Sequence, residues 1–416
     1  MYIPMKQLFI INENSRSSIY GIGTYINQLI LSLKNEAIDL NVINIFSDKY
    51  PCFHTDKKDN VSFFYVPIWT GTRRGLYDIE TKRYYENIIY LLKPYVIFSY
   101  ETIFHLNLMH SLELAKLLKN HFSCKIVTTV HYMNWSFSLL GDKSRLKRIL
   151  KNPNSSYELS IKESFEKEVD LLKHYSDKVI AIALHSYNTL TNTYKISRDK
   201  INLIPNCIED KYINYSTEER NTLRERYGLP VDSIIIIYAG RIDPVKGVDL
   251  LIEAFKLLLM KKNKNLKLII AGDGNVLSLI EKANPNWSSI IFTGFLKKEE
   301  LYEFYSISDI GVIPSRHEEF GFVAIEMMMN GLPLVVSDST GLNEIISNRE
   351  NGFTTMIYIE PKQMKKSVLN LSNKIYILIN DKALREKFSI NNRITYTDKY
   401  TLNIFKYNMK RFYNSL

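Results

Sequence analysis

Two glutamates set eight positions apart, Glu318 and Glu326, are the residues of this 416-residue chain best placed to do chemistry. Glu318 follows an apolar run that predicts a strand, and Glu326 lies inside the helix predicted to begin after Phe320-Gly321. Between them, the N–H groups of Phe322 and Val323 at a helix N-terminus favour an anion. Because carboxylates accept hydrogen bonds from hydroxyls, the combination predicts a ligand that is both phosphorylated and rich in hydroxyl groups, such as a nucleotide sugar.

A second cluster supplies the cations that such a ligand needs. Arg241 and Lys246 follow a predicted strand, Ile234–Ala239, and precede a helix that begins near Gly247. They therefore stand at the carboxyl edge of a sheet, where open α/β sheets bind ligands. A guanidinium fork and a mobile ammonium roughly neutralise a diphosphate. Alone, the two cations are also typical of a solvated surface, but the glutamate segment at the same sheet edge favours a binding site.

Two glycine-containing turns are weaker candidates. Gly21 and Gly23 come between the first predicted strand and a helix, where backbone N–H groups approach a phosphate, although no Gly-x-Gly-x-x-Gly pattern is present. Gly294, Phe295 and Leu296 follow another strand, and their backbone groups suit the flat edge of a base. An ordinary turn without a ligand is the alternative for both.

His131 ends the predicted strand Lys125–Val130 and so lies at a carboxyl edge in the first half of the chain. We expect it to donate a hydrogen bond to a sugar hydroxyl. The alternative is a histidine that is satisfied within the fold.

Missing motifs narrow the chemistry. The sequence has no Asp-x-Asp pair to hold a metal against a diphosphate, so neither a metal nor any other cofactor is expected. It also lacks Gly-x-Ser-x-Gly and Walker-type motifs, which argues against acyl transfer and ATP hydrolysis. Its three cysteines are far apart, and no apolar run approaches the length of a membrane span, so a cytoplasmic protein is expected.

The formal charge of +10 predicts anionic partners, but no nucleic-acid-binding motif accompanies it. Basic residues concentrate in the segment 143–151, with leucines and an isoleucine between them. This pattern fits a peripheral contact with the inner face of an anionic membrane. The favoured alternative is a solvated helix face with its own small core contact.

Both halves of the chain alternate apolar runs with helical stretches, which predicts an α/β protein with parallel sheets. The predicted domains are 1–206, 207–395 and a C-terminal helix, 396–416, which packs back on the first domain. The predictions in the first half include a strand at Val96–Tyr100 and a helix at Leu106–Leu118. A single terminal helix is predicted at Tyr396–Tyr413.

Taken together, these elements resemble glycosyltransferase family 4, the retaining enzymes of the GT-B fold. The resemblance covers nearly the whole chain and is strongest in residues 234–352. It rests on the Glu318-x7-Glu326 element, on Gly240-Arg241 with Lys246-Gly247, and on the Gly21-Ile-Gly23 turn. It implies two Rossmann-like domains facing across a cleft, with the donor mostly on the C-terminal domain and the acceptor mostly on the N-terminal one.

The resemblance also implies roles for individual residues. Arg241 and Lys246 would bind the donor diphosphate, and Glu326 would bind the ribose hydroxyls. Glu318 would contact the transferred sugar. The remaining implied donor contacts are the backbone of Phe320, Gly321, Phe322 and Val323, the phosphate contact of Gly23, and the sugar contact of His131. Three departures from the family pattern are Tyr132, Cys207 and Glu319, the last of which adds a negative charge beside Glu318.

The sequence thus predicts a metal-independent retaining glycosyltransferase that moves a sugar from a nucleotide diphosphate sugar to a hydroxyl. The acceptor is a glycan, a lipid-linked intermediate, a small molecule or a peptide. One alternative is a nucleotide-sugar epimerase or hydrolase on the same fold. Another is a non-catalytic protein that binds an anion or a glycan.

Overall fold

The computed structural model describes residues 5–13, 21–68, 78–261 and 265–416. Contacts divide the chain into two units, one of residues up to Cys207 together with Leu402–Leu416, and one of Ile208–Thr401. Each unit is built around its own sheet. The boundary predicted at 206/207 lies one residue before the observed division at 207/208. The boundary predicted at 395/396 lies six residues before the observed division at 401/402.

The first unit contains an eight-stranded sheet of order β3-β4-β2-β1-β5-β6-β7-β8, in which only β3 and β4 pair antiparallel. Its strands are β1 Lys6–Glu13, β2 Ile38–Ser47, β3 His54–Lys58, β4 Val61–Pro67, β5 Glu101–Leu106, β6 Cys124–Val130, β7 Lys178–Ala181 and β8 Ile201–Leu203. The central strands are apolar on both faces because helices cover both faces of a parallel sheet.

Helices connect these strands, and a C-terminal helix joins them. They are α1 Gly21–Leu33, α2 Asp78–Leu92, α3 Leu112–His121, α4 Asn134–Ser138, α5 Lys143–Lys151, α6 Ser156–Asp170, α7 Leu184–Asn192 and, from the end of the chain, α16 Leu402–Asn414. Helix α16 buries Phe405, Met409 and Phe412 within this unit, and the ring of Phe405 meets Tyr25 of α1 edge-on at 5.8 Å.

The second unit contains a six-stranded parallel sheet of order β11-β10-β9-β12-β13-β14. Its strands are β9 Ile234–Ala239, β10 Leu266–Ala271, β11 Ile290–Gly294, β12 Ile310–Ile313, β13 Leu334–Ser337 and β14 Gly352–Thr355. Its helices are α8 Thr217–Arg226, α9 Val248–Met260, α10 Leu277–Ala283, α11 Lys298–Ile307, α12 Phe322–Met329, α13 Thr340–Ile345, α14 Met364–Asn380 and α15 Lys382–Lys399. The switch in strand order between β9 and β12 puts the loops that follow β9, β10 and β12 at one edge.

Three sequence predictions are wrong. The strand predicted at Val96–Tyr100 is a loop in which Phe98 is fully exposed, and the strand β5 follows it. The helix predicted from Leu106 begins at Leu112 because the preceding residues pair with β1 and β6. The predicted terminal helix is broken between α15 and α16, where Thr401 bridges to Ile208. In the last two cases pairing between distant residues overrides a local apolar pattern.

Within the ranges that the structure describes, no helix combines the length and the hydropathy that crossing a membrane requires.

Candidate functional site

The loops that follow β9, β10 and β11 are tied together by their backbones. The amide of Gly240 donates to Ala271 O at 2.9 Å, and the amide of Gly272 donates to Gly294 O at 2.9 Å. A Cβ atom on Gly272 would lie 1.8 Å from Gly240 O, so only glycine permits this approach. The glycines therefore place three loops side by side at the carboxyl edge of the second sheet.

Asp243 positions the two predicted cations. Its Oδ1 accepts hydrogen bonds from the backbone amides of Val245 at 3.0 Å and Lys246 at 3.2 Å. Its Oδ2 pairs with Arg241 Nη2 at 3.1 Å. One carboxylate thus fixes the turn that carries Lys246 and also holds the guanidinium of Arg241. Sequence reasoning missed Asp243, although its place just before Pro244 is a common cap position for a short helical turn.

The loop after β12 packs directly against the loop after β9. Gly247 has φ +69°, and a Cβ atom there would lie 2.1 Å from Pro314 O. The amide of Arg316 donates to Val245 O at 2.7 Å. The guanidinium of Arg316 forms a two-pronged pair with Asp249, at 3.0 and 2.8 Å. Two-pronged pairs fix geometry as well as charge, so they hold the two loops in one arrangement.

This packing brings Lys246 and Glu318 together. Lys246 Nζ lies 2.6 Å from Glu318 Oε2, and the two side chains are only 16% and 18% exposed. The sequence placed both residues at the same sheet edge but did not predict that they pair. The ammonium expected to bind a phosphate is thus held by the carboxylate expected to bind a sugar.

The backbone after Glu318 is fixed by the start of α13. Glu318 O accepts hydrogen bonds from Gly341 N at 3.0 Å and from Thr340 Oγ1 at 3.0 Å. The chain then turns through Gly321, at φ +104°, into α12. The helix begins at Phe322, within one residue of the start predicted from the sequence. The turn presents the first amides of α12, those of Phe322 and Val323, at the helix N-terminus.

Glu319 differs from its expected arrangement. The sequence suggests that it adds a negative charge beside Glu318. In the structure Glu319 is buried, and its Oε1 lies 3.2 Å from Nε2 of His317, which is also buried. The carboxylate is therefore directed to the imidazole of His317 within the loop.

Glu326 is buried inside the second unit, and only 2% of its side chain is exposed. Its Oε1 pairs with Nζ of Lys298, at the start of α11, and its Oε2 lies 3.4 Å from Tyr305 Oη. Burial and the nearby Glu326 carboxylate raise the pKa of Tyr305 well above its usual value, so the phenol stays protonated and donates to the carboxylate. Lys298 is a site residue that sequence reasoning missed.

Two further groups belong to the same edge. Gly294 turns at φ +70° with open space where a Cβ would stand, and Phe295 after it is 57% exposed, so the segment Gly294–Leu296 presents an accessible backbone. The Ser315 hydroxyl, between Pro314 and Arg316, is buried and has no hydrogen-bond partner among the described residues. A buried hydroxyl without a partner is costly unless a ligand or water satisfies it.

The first unit carries the other predicted residues. Gly21 and Gly23 lie in the first turn of α1 rather than in a loop before it. Residues 18–20 of the turn that the sequence singles out lie outside the described residues. The amides of a first helical turn have no partner within the helix, which suits the phosphate contact expected of Gly23.

His131 directly follows β6, as predicted, but its donor is already used. Asn107 Nδ2 donates to Ile11 O at 3.2 Å, which turns Asn107 Oδ1 toward His131 Nε2 at 2.9 Å. The ring also meets Tyr25 edge-on at 4.6 Å. Burial lowers the pKa of His131 to about 3, so the ring is neutral. With its proton on Nε2, its Nδ1 can only accept, and the donor role expected from the sequence is corrected to that of an acceptor.

Every charged residue predicted for the second unit's site therefore has a counter-ion within that unit: Arg241 with Asp243, Lys246 with Glu318, and Glu326 with Lys298. Such a site can exchange internal pairs for a ligand that carries both phosphate and hydroxyl groups. Among the described residues, His, Cys, Asp and Glu side chains form no group of three able to hold a metal ion.

Comparisons with known proteins cover both units. A family model described as Glycosyltransferase Family 4 matches residues 19–212, and one described as Glycosyl transferases group 1 matches residues 219–395. An uncharacterized glycosyltransferase of Methanocaldococcus jannaschii is 31% identical over 253 residues, which are 58% of this chain and 62% of that protein. The alpha-D-kanosaminyltransferase of Streptomyces kanamyceticus is 29% identical over 57% of this chain and 62% of its own length. The alignments thus span about three fifths of these relatives.

Solved structures share the fold over nearly the whole chain. The sucrose-phosphate synthase of Thermosynechococcus elongatus gives a TM-score of 0.77 at 18% identity, covering 99% of this chain and 98% of that one. The Anabaena protein Alr3699/HepE, solved in complex with UDP, gives 0.74 at 16% identity, covering 99% and 100%. The predicted α/β fold class is confirmed. With a family model matching each half, the chain belongs to the glycosyltransferases of group 1 and family 4, which have the GT-B fold.

Proposed function

We propose that this protein is a retaining glycosyltransferase that transfers a sugar from a nucleoside diphosphate sugar to a hydroxyl acceptor. The observation that carries the proposal is the Lys246–Glu318 pair. It joins a cation suited to phosphate and a carboxylate suited to sugar hydroxyls at one sheet edge, next to the N-terminus of α12. The UDP bound to Alr3699/HepE, a protein of the same fold, is consistent with this class of donor.

The proposed roles follow from the chemistry of each group. Arg241 and Lys246 bind the diphosphate and stabilise the charge that develops on it as the sugar leaves. Glu318 accepts hydrogen bonds from the transferred sugar, and Glu326 accepts them from the ribose. The exposed backbone of Gly294–Leu296 pairs with the base. No metal or other cofactor takes part in this scheme, because Arg241 and Lys246 supply the positive charge.

In a retaining reaction by front-side attack, the acceptor oxygen bonds to the anomeric carbon on the face from which the diphosphate departs. The bond between that carbon and the diphosphate oxygen breaks, and the diphosphate takes the proton of the acceptor hydroxyl. The neutral His131, an acceptor at Nδ1, suits a hydrogen bond from a sugar hydroxyl better than it suits proton donation.

A donor screen tests the proposal. The purified protein is incubated with UDP-, GDP-, ADP- and dTDP-sugars, with and without cell extract as a source of acceptor, and nucleotide release is measured. We expect release with one donor class to depend on the extract. Arg241→Ala and Glu326→Ala should abolish nucleotide release while the fold persists. The control Arg226→Ala changes an exposed arginine of α8 and should leave nucleotide release intact. Full activity in both site variants would refute the site.

The same assay separates the alternative reactions. An epimerase or hydrolase on this fold would convert the donor rapidly without extract. A non-catalytic protein that binds an anion or a glycan would show no turnover with any donor and no thermal shift with the matching nucleotides.

We further propose that the first unit contacts an anionic membrane through α5, which would suit a lipid-linked acceptor. The apolar residues Leu146 and Ile149 are buried in the unit's own core and Leu150 packs against that core, so these side chains do not insert into lipid. Arg148 is also engaged, because it forms a two-pronged pair with Glu158 and lowers the pKa of that carboxyl to about 2. The contact therefore depends on the exposed cations Lys143, Arg145, Lys147 and Lys151.

Two exposed apolar side chains support this contact. Tyr157 and Leu159, at the start of the neighbouring helix α6, are 53% and 46% exposed. Aromatic and leucine side chains beside cations suit the headgroup region of a bilayer.

Co-sedimentation with vesicles of anionic or neutral phospholipid tests the contact. Arg145→Glu with Lys147→Glu should abolish binding to anionic vesicles. The matched double change Lys387→Glu with Lys399→Glu, on exposed residues of α15, should leave it intact. Equal binding by the two double variants would refute the assignment to α5.

A further inference from the structure

Glu326 is almost fully shielded from solvent. Only 2% of its side chain is exposed, and its Oε1 is occupied by the ammonium of Lys298. Tyr305, the partner of Oε2, is itself buried. Lys298, by contrast, is 49% exposed and begins a helix, so it is the partner that can move away without disturbing the core.

We propose that Lys298 competes with the nucleoside for Glu326 and so sets the affinity for the ribose hydroxyls of the donor. This inference rests on the proposed function, which assigns the ribose to Glu326. Without a ligand, Lys298 neutralises a carboxylate that would otherwise be buried with its charge unpaired. When the ribose enters, its hydroxyls donate to the carboxylate and the ammonium returns to water.

The placement of Lys298 makes this exchange possible. Lys298 lies on α11, two residues after Leu296 of the segment proposed to hold the base. Glu326 and the amides at the start of α12 belong to the next strand-loop-helix unit, from β12 to α12. Lys298 thus stands between the proposed base and ribose positions. Its half-exposed ammonium is rehydrated at little cost when it leaves the carboxylate.

Competition predicts a specific pattern of affinities. The ribonucleotide must break the Lys298–Glu326 pair, whereas the 2′,3′-dideoxy nucleotide offers no hydroxyls and leaves the pair in place. Removing Lys298 should therefore tighten only the ribonucleotide. Because a partly exposed ion pair is worth up to about 1 kcal/mol, we expect the ribonucleotide to bind about fivefold more tightly. Discrimination against the dideoxy form should increase by the same factor.

The experiment measures binding of the ribo and dideoxy forms of the nucleoside diphosphate identified by the donor screen, using isothermal titration calorimetry. The variants are Lys298→Ala and Lys298→Met, the second of which retains most of the aliphatic stem if the first folds poorly. The control is Lys297→Ala, which removes the neighbouring exposed lysine but keeps its backbone N–H bond to Glu300.

Tighter binding of the ribo form alone, in both Lys298 variants and not in the control, is the expected result. Unchanged affinities for both forms would show that Lys298 does not compete with the ribose, which overturns the proposal. Weaker binding of both forms would mean that Lys298 contacts the nucleotide directly, which also overturns it. If the unmodified protein binds no nucleotide, the proposed function itself fails, so this result is distinct from a failure of the Lys298 proposal alone.

Discussion

Replacing Glu318 by glutamine should move donor binding and catalysis in opposite directions. Glu318 holds the Lys246 ammonium at 2.6 Å, and both side chains are mostly buried. A nucleoside diphosphate must draw Lys246 away from this carboxylate and also overcome its negative charge. Glutamine keeps the size and one acceptor oxygen but removes the charge. Lys246 is therefore released for the phosphate, while the sugar loses its charged acceptor.

The structure sets the size of both effects. A typical surface ion pair is worth up to about 1 kcal/mol. The Lys246–Glu318 pair is less exposed, which makes it stronger, but glutamine keeps part of the contact. We therefore take about 1 kcal/mol as the free energy by which Glu318 competes with the diphosphate for Lys246. The nucleoside diphosphate should then bind about fivefold more tightly. A hydrogen bond to a charged group is worth about 1.5–3 kcal/mol, so loss of the Glu318 contact to the sugar should lower kcat/KM by roughly 10- to 150-fold.

Calorimetric titration with the nucleoside diphosphate, together with the rate of sugar transfer, measures both effects in one preparation. Glu299→Gln, an exposed carboxylate of α11, is the control for the loss of one negative charge and should change neither quantity. Weaker or unchanged diphosphate binding by Glu318→Gln would show that the Lys246–Glu318 pair does not compete with the donor. Unchanged kcat/KM would show that Glu318 does not contact the transferred sugar.

Two predictions concern the fold. Gly247→Ala should lower the free energy of unfolding by about 2–4 kcal/mol, because its Cβ would lie 2.1 Å from Pro314 O. Gly228→Ala, at a similar φ but with open space around the Cβ, should lower it by only about 1–2 kcal/mol. Urea unfolding of both variants measures the difference, and equal losses would refute the clash at Gly247. Burial, with repulsion from a neighbouring histidine, lowers the pKa of His105 from 6.5 to about 3, so the unfolded chain takes up a proton that the folded chain refuses, and stability falls as pH drops through that window. His105→Gln should reduce this loss of stability by about 1.4 kcal/mol per pH unit between pH 6 and 4. The control His121→Gln changes an exposed side chain and should not reduce it. Parallel plots of unfolding free energy against pH for the unmodified protein and both variants would contradict the assignment to His105.

Much of the second unit follows from local sequence. The strands Ile234–Ala239 and Leu266–Ala271 and the helix Val248–Met260 have the bounds that their apolar patterns predict. Both strands are buried along nearly their whole length and a glycine follows each, while the helix buries its apolar stripe, so local propensity and tertiary packing agree. The two short edge elements β3 and β14 were missed because edge strands depend on a neighbour rather than on their own composition.

The pairing of site residues could not be predicted from the sequence. Lys246 and Glu318 are 72 positions apart, and Lys298 and Glu326 are 28 apart, so no local pattern links them. Nor could the pattern around His131 show that Asn107 Oδ1 accepts the hydrogen bond of Nε2. These contacts depend on which loops the strand order brings side by side.

The class of fold, the sheet edge that carries the candidate site and the residue types at that edge can be predicted from the sequence, because strand and helix patterns are local and polar residues at strand ends are visible in the sequence. Three-dimensional packing alone shows which charges neutralise one another, that Lys298 pairs with Glu326, and that Glu319 is directed to His317. The physical reason is that ion pairing depends on distance in space and on burial. Both are fixed by the packing of loops that are far apart along the chain.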